Sequence, residues 1–174
     1  MIARVIVVVG VLTGGGTLIP AQDAPLGFSW GHVDQIPKPW RASREANITT
    51  LFYDHTSSVA AGADTDQVIV EICQSEGLQE VIWISRKLSG DELQRKFALM
   101  HQEGVSRYGE PNLLSMPMTE SWKDGRVFLG TSDGQQRLVM FVRGALFDHC
   151  SAEHRVQSGH RAEQHFENLK RGTY

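Results

Sequence analysis

Gln67-Val-Ile-Val-Glu-Ile-Cys73, Gln74-Ser-Glu-Gly77 and Leu78-Gln-Glu-Val-Ile-Trp-Ile-Ser-Arg86 decide the fold. The two outer runs are dominated by β-branched and aromatic residues. The middle one is polar and closes on a glycine, so residues 67–86 read as a β-hairpin. Directly after it the period changes. Ser89 and Glu92 have the spacing of a capping box, and Leu88 and Leu93 are placed to staple the helix start. Leu93, Phe97, Met100 and Tyr108 share one helical face, Gly104 lies between the last two, and Gly109 with Pro111 stops the helix.

On the N-terminal side, residues 47–53 (NITTLFY) predict another strand and 56–66 a small-residue loop. Residues 24–45 carry Pro25, Pro37, Pro39 and Gly31 and read as irregular, with a short edge strand at Phe28-Ser-Trp30. On the C-terminal side three strand-like runs follow a Met/Pro connector: 119–122, 126–132 and 136–143. Asp133-Gly134 supplies a strong hairpin turn between the last two. The expected fold class is therefore α+β. It has an antiparallel sheet of about five to six strands, one amphipathic helix on one face, and the order strands–helix–strands.

The ends of the chain bound its location. Arg4, the apolar run 5–12, the break at Gly14-Gly-Gly16 and the small Ala21 after Pro20 match a secretory signal peptide cut after Ala21. That apolar run is too short to span a bilayer. A dinucleotide-binding reading of the same glycines fails, because Leu12 and Ile19 occupy positions that need glycine. The expected organisation is a cleaved segment 1–21, a single domain 22–150 and a polar tail 151–174, partly helical at most. Export to an oxidising compartment, the periplasm, then makes Cys73 and Cys150 a structural disulfide, each lying after an apolar strand-like run. With a net charge of −3 the chain offers no basic footprint for nucleic acid. No stable membrane insertion is expected after cleavage.

Candidate chemistry is sparse. His149, His154, His160 and His165, with Asp148, Glu153 and Glu163, offer metal-ligand types. Successive histidines are spaced five, six and five apart, so no two of them share a helical face. Asp54-His55 and Ser57-Ser58 hold triad residue types, but neighbours in an extended chain point apart. Glu71, between Val70 and Ile72, is placed by strand alternation on a solvent face. Asn47-Ile-Thr49 matches a glycosylation sequon, which matters only in a eukaryotic secretory pathway. No catalytic residue and no cofactor is expected. Trp30, Trp40, Met116 and Met118, in irregular segments, are the candidate interaction residues, since loop aromatics and methionines are enriched at binding surfaces.

Gly27-Phe-Ser-Trp-Gly31, Gly77-Leu78 and Tyr108-Gly-Glu-Pro111, taken in order, resemble elements of small exported bacterial proteins of uncharacterised role. The strand–helix–strand plan is also similar to β-lactamase-inhibitor-like modules and to small outer-membrane-assembly proteins. The chain departs from the latter in having no cysteine near the cut for lipid attachment. These shared elements are turns and caps and bear on fold. The sparse catalytic chemistry, the compact exported scaffold and the loop aromatics give the expectation of a non-enzymatic module that binds an envelope protein or a small ligand. The alternative is an envelope hydrolase using the His-rich C-terminal region, with zinc.

Overall fold

A computed structural model describes residues 24–33, 36–59, 62–114 and 116–159. Its centre is one antiparallel sheet of eight strands: β1 Arg41–Glu45, β2 Ile48–Asp54, β3 Thr65–Cys73, β4 Gly77–Ser85, β5 Asn112–Leu113, β6 Glu120–Trp122, β7 Val127–Ser132 and β8 Arg137–Arg143. Two helices join them, α1 Gly90–Tyr108 and α2 Phe147–Ser158. The order across the sheet is β1-β2-β3-β4-β8-β7-β6-β5. The chain meanders from one edge to the centre and crosses along α1 to the far edge. It then meanders back until β8 pairs with β4.

The α+β class holds, but the strand count and order differ from expectation. β1 falls in the stretch 24–45, which the sequence reads as irregular. Its hairpin with β2 turns at Ala46-Asn47, without glycine, and Ala46 itself takes the left-handed φ of 49°. β5 has only two residues. Phe28-Ser-Trp30 forms no edge strand. A 3-10 turn at Pro25–Gly27 precedes it, and only the single bridge Gly31↔Leu78 reaches the sheet. The helix α2 runs across residue 150, where the domain was expected to end, and closes on Gly159 in the left-handed conformation. The expected cut after Ala21 lies outside the described residues.

The decisive hairpin is β3–β4, and α1 starts as its spacing requires. The Ser89 N–H donates to the Glu92 carboxylate at 3.2 Å, and Leu88 and Leu93 are both buried. The α1 stripe covers one sheet face, where Leu51, Tyr53, Val68, Val70, Val81 and Trp83 form the main core. Trp122, Val127, Leu129 and Val142 extend that core beneath the C-terminal half of α1. The opposite face is buried as well, around Phe52, Ile69, Ile82, Ile84 and Phe141. Strand alternation does put Glu71 opposite Val70 and Ile72, but that face is not solvent. Glu71 is 3% exposed, and Glu80, its partner in register on β4, is 0% exposed. A face that carries Ile69 and Ile82 needs cover, and the cover takes the carboxylates with it.

Cys73 and Cys150 form the expected disulfide, with Cα atoms 6.0 Å apart. Parity explains the meeting. β3 and β8 are each antiparallel to β4, so they run parallel to one another and end at the same sheet margin. The turn after β8 carries Cys150, in the first turn of α2, back to the end of β3. The Asn47 amide donates to the Cys150 carbonyl at 3.2 Å, so the sequon asparagine is buried under α2. A disulfide of this kind fits a compartment more oxidising than the cytosol.

Candidate functional site

Where α1 leaves the sheet, a cavity of about 200 Å³ remains. Leu26, Trp83, Met100, Tyr108, Met140 and Val142 supply its apolar wall, and Lys96, Glu103 and Arg107 its charged lining. Two indoles brace the wall. The Trp83 indole N–H donates to Thr65 Oγ1 at 2.9 Å. Trp122 behind the wall donates to the Gly109 carbonyl at 2.8 Å. Gly104 lets α1 approach the Trp122 ring, leaving Met100 and Tyr108 on either side of the contact. The charged residues are paired: Lys96 with Asp64 at 3.1 Å, and Arg107 with Glu103 at 2.7 Å. Such a chamber takes an apolar body and offers paired charges to a polar end.

A second hollow, about 210 Å³, lies on the other face, floored by Ile82, Phe128, Val139 and Phe141 beneath Met116 and Pro117. The four candidate interaction residues therefore separate. Trp30 packs on the core beneath α1, and Met118 is partly buried against it. Trp40 is 57% exposed and Met116 52% exposed. Trp40 leans on Phe52 with ring centroids 6.3 Å apart, and the Arg41 guanidinium lies 4.4 Å from the same Phe52 ring.

The polar groups fall into local sets. The Asp54 carboxylate accepts from Thr56 N–H at 2.9 Å and Thr56 Oγ1 at 2.6 Å, which holds its pKa below the usual carboxylate value. Ser57 Oγ accepts from Val59 N–H at 3.1 Å. The triad residue types thus build a turn. Tyr53, buried, donates to the Pro37 carbonyl at 2.9 Å, and burial pushes its hydroxyl up to about 12. Arg143 donates to buried Glu80 at 2.6 Å and is sandwiched by the Phe141 and Phe147 rings at 4.3 and 4.2 Å. His101 on α1 pairs with Glu120 on β6 at 2.9 Å.

Of the candidate metal ligands, His149 and Glu153 stand together with Glu76 from the β3–β4 turn. Their ligand atoms lie within 4.8 Å of one another. Asp148 faces Arg126 at 3.8 Å, and His154 holds its Nδ1 buried without a hydrogen-bond partner among the described residues. His160, Glu163 and His165 lie outside the described residues. Sequence reasoning missed Glu76 because it sits in a turn, where acidic residues are ordinary. The available signal was its position three residues after Cys73. Among the described residues no helix is long and apolar enough to cross a membrane. No protein-family model, curated protein or solved structure matches the chain.

Proposed function

We propose that this chain is a non-enzymatic binding module of the bacterial cell envelope, exported on residues 1–21 to the periplasm. It would hold the apolar anchor of a small ligand or of an envelope protein in the cavity between α1 and the sheet. The observation that carries this reading is the cavity itself. It is an apolar chamber beside a helix, with indole, thioether and phenol side chains facing it and paired charges around it. The disulfide and the resemblance to small exported proteins support the location.

The test uses Met100→Trp, which fills the chamber while leaving the helix surface alone. A hydrophobic naphthalene dye should bind the native protein at one equivalent and quench Trp83. The M100W protein, with an unchanged melting temperature, should lose at least about tenfold in affinity. Cross-linked co-purification from the source envelope should likewise capture its partner with native protein and not with M100W. Equal dye binding and equal capture by both proteins would remove the reading. An intact mass starting at Met1 in the exported fraction would remove the export claim.

A further inference from the structure

We infer that Glu76, His149 and Glu153 form a zinc-class divalent cation site beside the Cys73–Cys150 disulfide, separate from the α1 cavity. The three donors come from two elements that the disulfide fastens together. His149 immediately precedes Cys150 on α2, Glu153 lies one turn further along the same helix face, and Glu76 follows Cys73 by three residues. Their ligand atoms are mutually within 4.8 Å. Donors on one zinc ion, each bound at roughly 2.0–2.2 Å, are about 3–4 Å apart, so modest side-chain rotation closes the set.

Charge argues the same way. The Glu76 side chain is only 6% exposed, and its Oε1 faces His149 Nδ1 at 2.7 Å. Its second oxygen, Oε2, is buried with no hydrogen-bond donor among the described residues. No Lys or Arg pairs with Glu76 or Glu153 among the described residues. A buried carboxylate oxygen without a donor is costly, and a second carboxylate nearby raises that cost. A divalent cation answers both when Glu76 binds it through both oxygens, with His149 coordinating through Nδ1 in place of its contact with Oε1. One imidazole with two carboxylates suits zinc better than calcium or magnesium, and three protein donors leave a coordination position for water.

The experiment is a zinc titration of chelator-stripped, disulfide-bonded protein, followed by calorimetry. Oxidised protein is needed because reduced Cys73 and Cys150 would add thiolates to the same cluster. One equivalent should bind at micromolar affinity or tighter and raise the melting temperature. Glu76→Gln and His149→Ala should each weaken binding by roughly 100-fold, and Glu153→Gln by at least tenfold. The last change is near-isosteric on the helix surface, so it tests the site even if Glu76→Gln misfolds. His160→Ala/His165→Ala and the cavity variant M100W should bind zinc as the native protein does. Absence of binding, or binding unchanged by E153Q and H149A yet abolished by the His160/His165 pair, would overturn the site.

Discussion

A methyl group on Gly77 would lie 2.0 Å from the carbonyl oxygen of Gly31. The two glycines bring the start of β4 against the N-terminal segment, with Leu78 N–H donating to Gly31 at 2.7 Å and Gly31 N–H returning to Leu78 at 3.2 Å. Gly77 also sits at φ 72°. Gly77→Ala should therefore cost about 3 kcal/mol or more, from backbone collision added to left-handed strain. Gly134, at φ 63° with nothing near its absent Cβ, carries the strain alone, and Gly134→Ala should cost about 1–2 kcal/mol. Urea midpoints that coincide for the two variants would deny the close approach its role.

Gly104 reverses the usual helix rule. Alanine there should gain up to about 1 kcal/mol of helix propensity. Its Cβ, however, would meet the Trp122 ring at 2.6 Å, and that ring is buried and hydrogen-bonded. Overpacking of this kind costs about 1–3 kcal/mol, so Gly104→Ala should destabilise on balance. Adding Trp122→Phe should make the alanine less costly than it is alone, a coupling that a double-mutant cycle in urea reads directly.

Tyr53 sets an alkaline limit. Its hydroxyl is raised from 10.0 to about 12 by burial, so the folded state keeps a proton that the unfolded state loses. The contribution is fully present below pH 10 and is lost as pH rises toward 12. At about 1.4 kcal/mol per unit, stability should fall by about 2–3 kcal/mol across that window. Tyr53→Phe should be less stable at pH 7 by about 1 kcal/mol, for the lost bond to Pro37, and its stability should decline less steeply between pH 10 and 12. Chemical denaturation at stepped pH, with tyrosinate absorbance as a second signal, checks both.

The disulfide joins residues 77 positions apart. Replacing both cysteines by serine should cost about 4–5 kcal/mol on the chain-entropy account. The loss should appear first as faster amide exchange in α2, where Cys150 makes the covalent tie to the sheet and its carbonyl accepts from the buried Asn47 amide. Protection in α2 equal to that of native protein would show that the bridge is not what seats the helix.

How much of this was legible depended on whether a signal is local. The β3–β4 hairpin, the α1 caps and the cysteine pair each declare themselves within a few residues or by elimination. β1 did not, because Arg41-Ala-Ser-Arg-Glu45 is exposed along its whole length and has no alternation to read. Glu71 was placed on the correct face but in the wrong medium, since no single strand reports what lies over it. The α1 cavity and the Glu76–His149–Glu153 cluster are products of tertiary approach. Each joins residues of one helix to residues far away in the chain, Glu76 to α2 and Trp83 or Met140 to α1, and each residue alone looks like core or surface.

By bridging Cys73 to Cys150 the molecule becomes topologically a ring with two tails. β4, α1 and β5 through β8 all lie inside the ring, while β1, β2, β3 and the rest of α2 hang from it. A protease that cuts the connector at the exposed Met116, or the turn at Lys123, opens the ring without parting the chain into two molecules. The severed ends stay within one covalent body and can re-pair their strands at intramolecular rates. Nicked protein should run as one species until reduced, and only then separate into fragments.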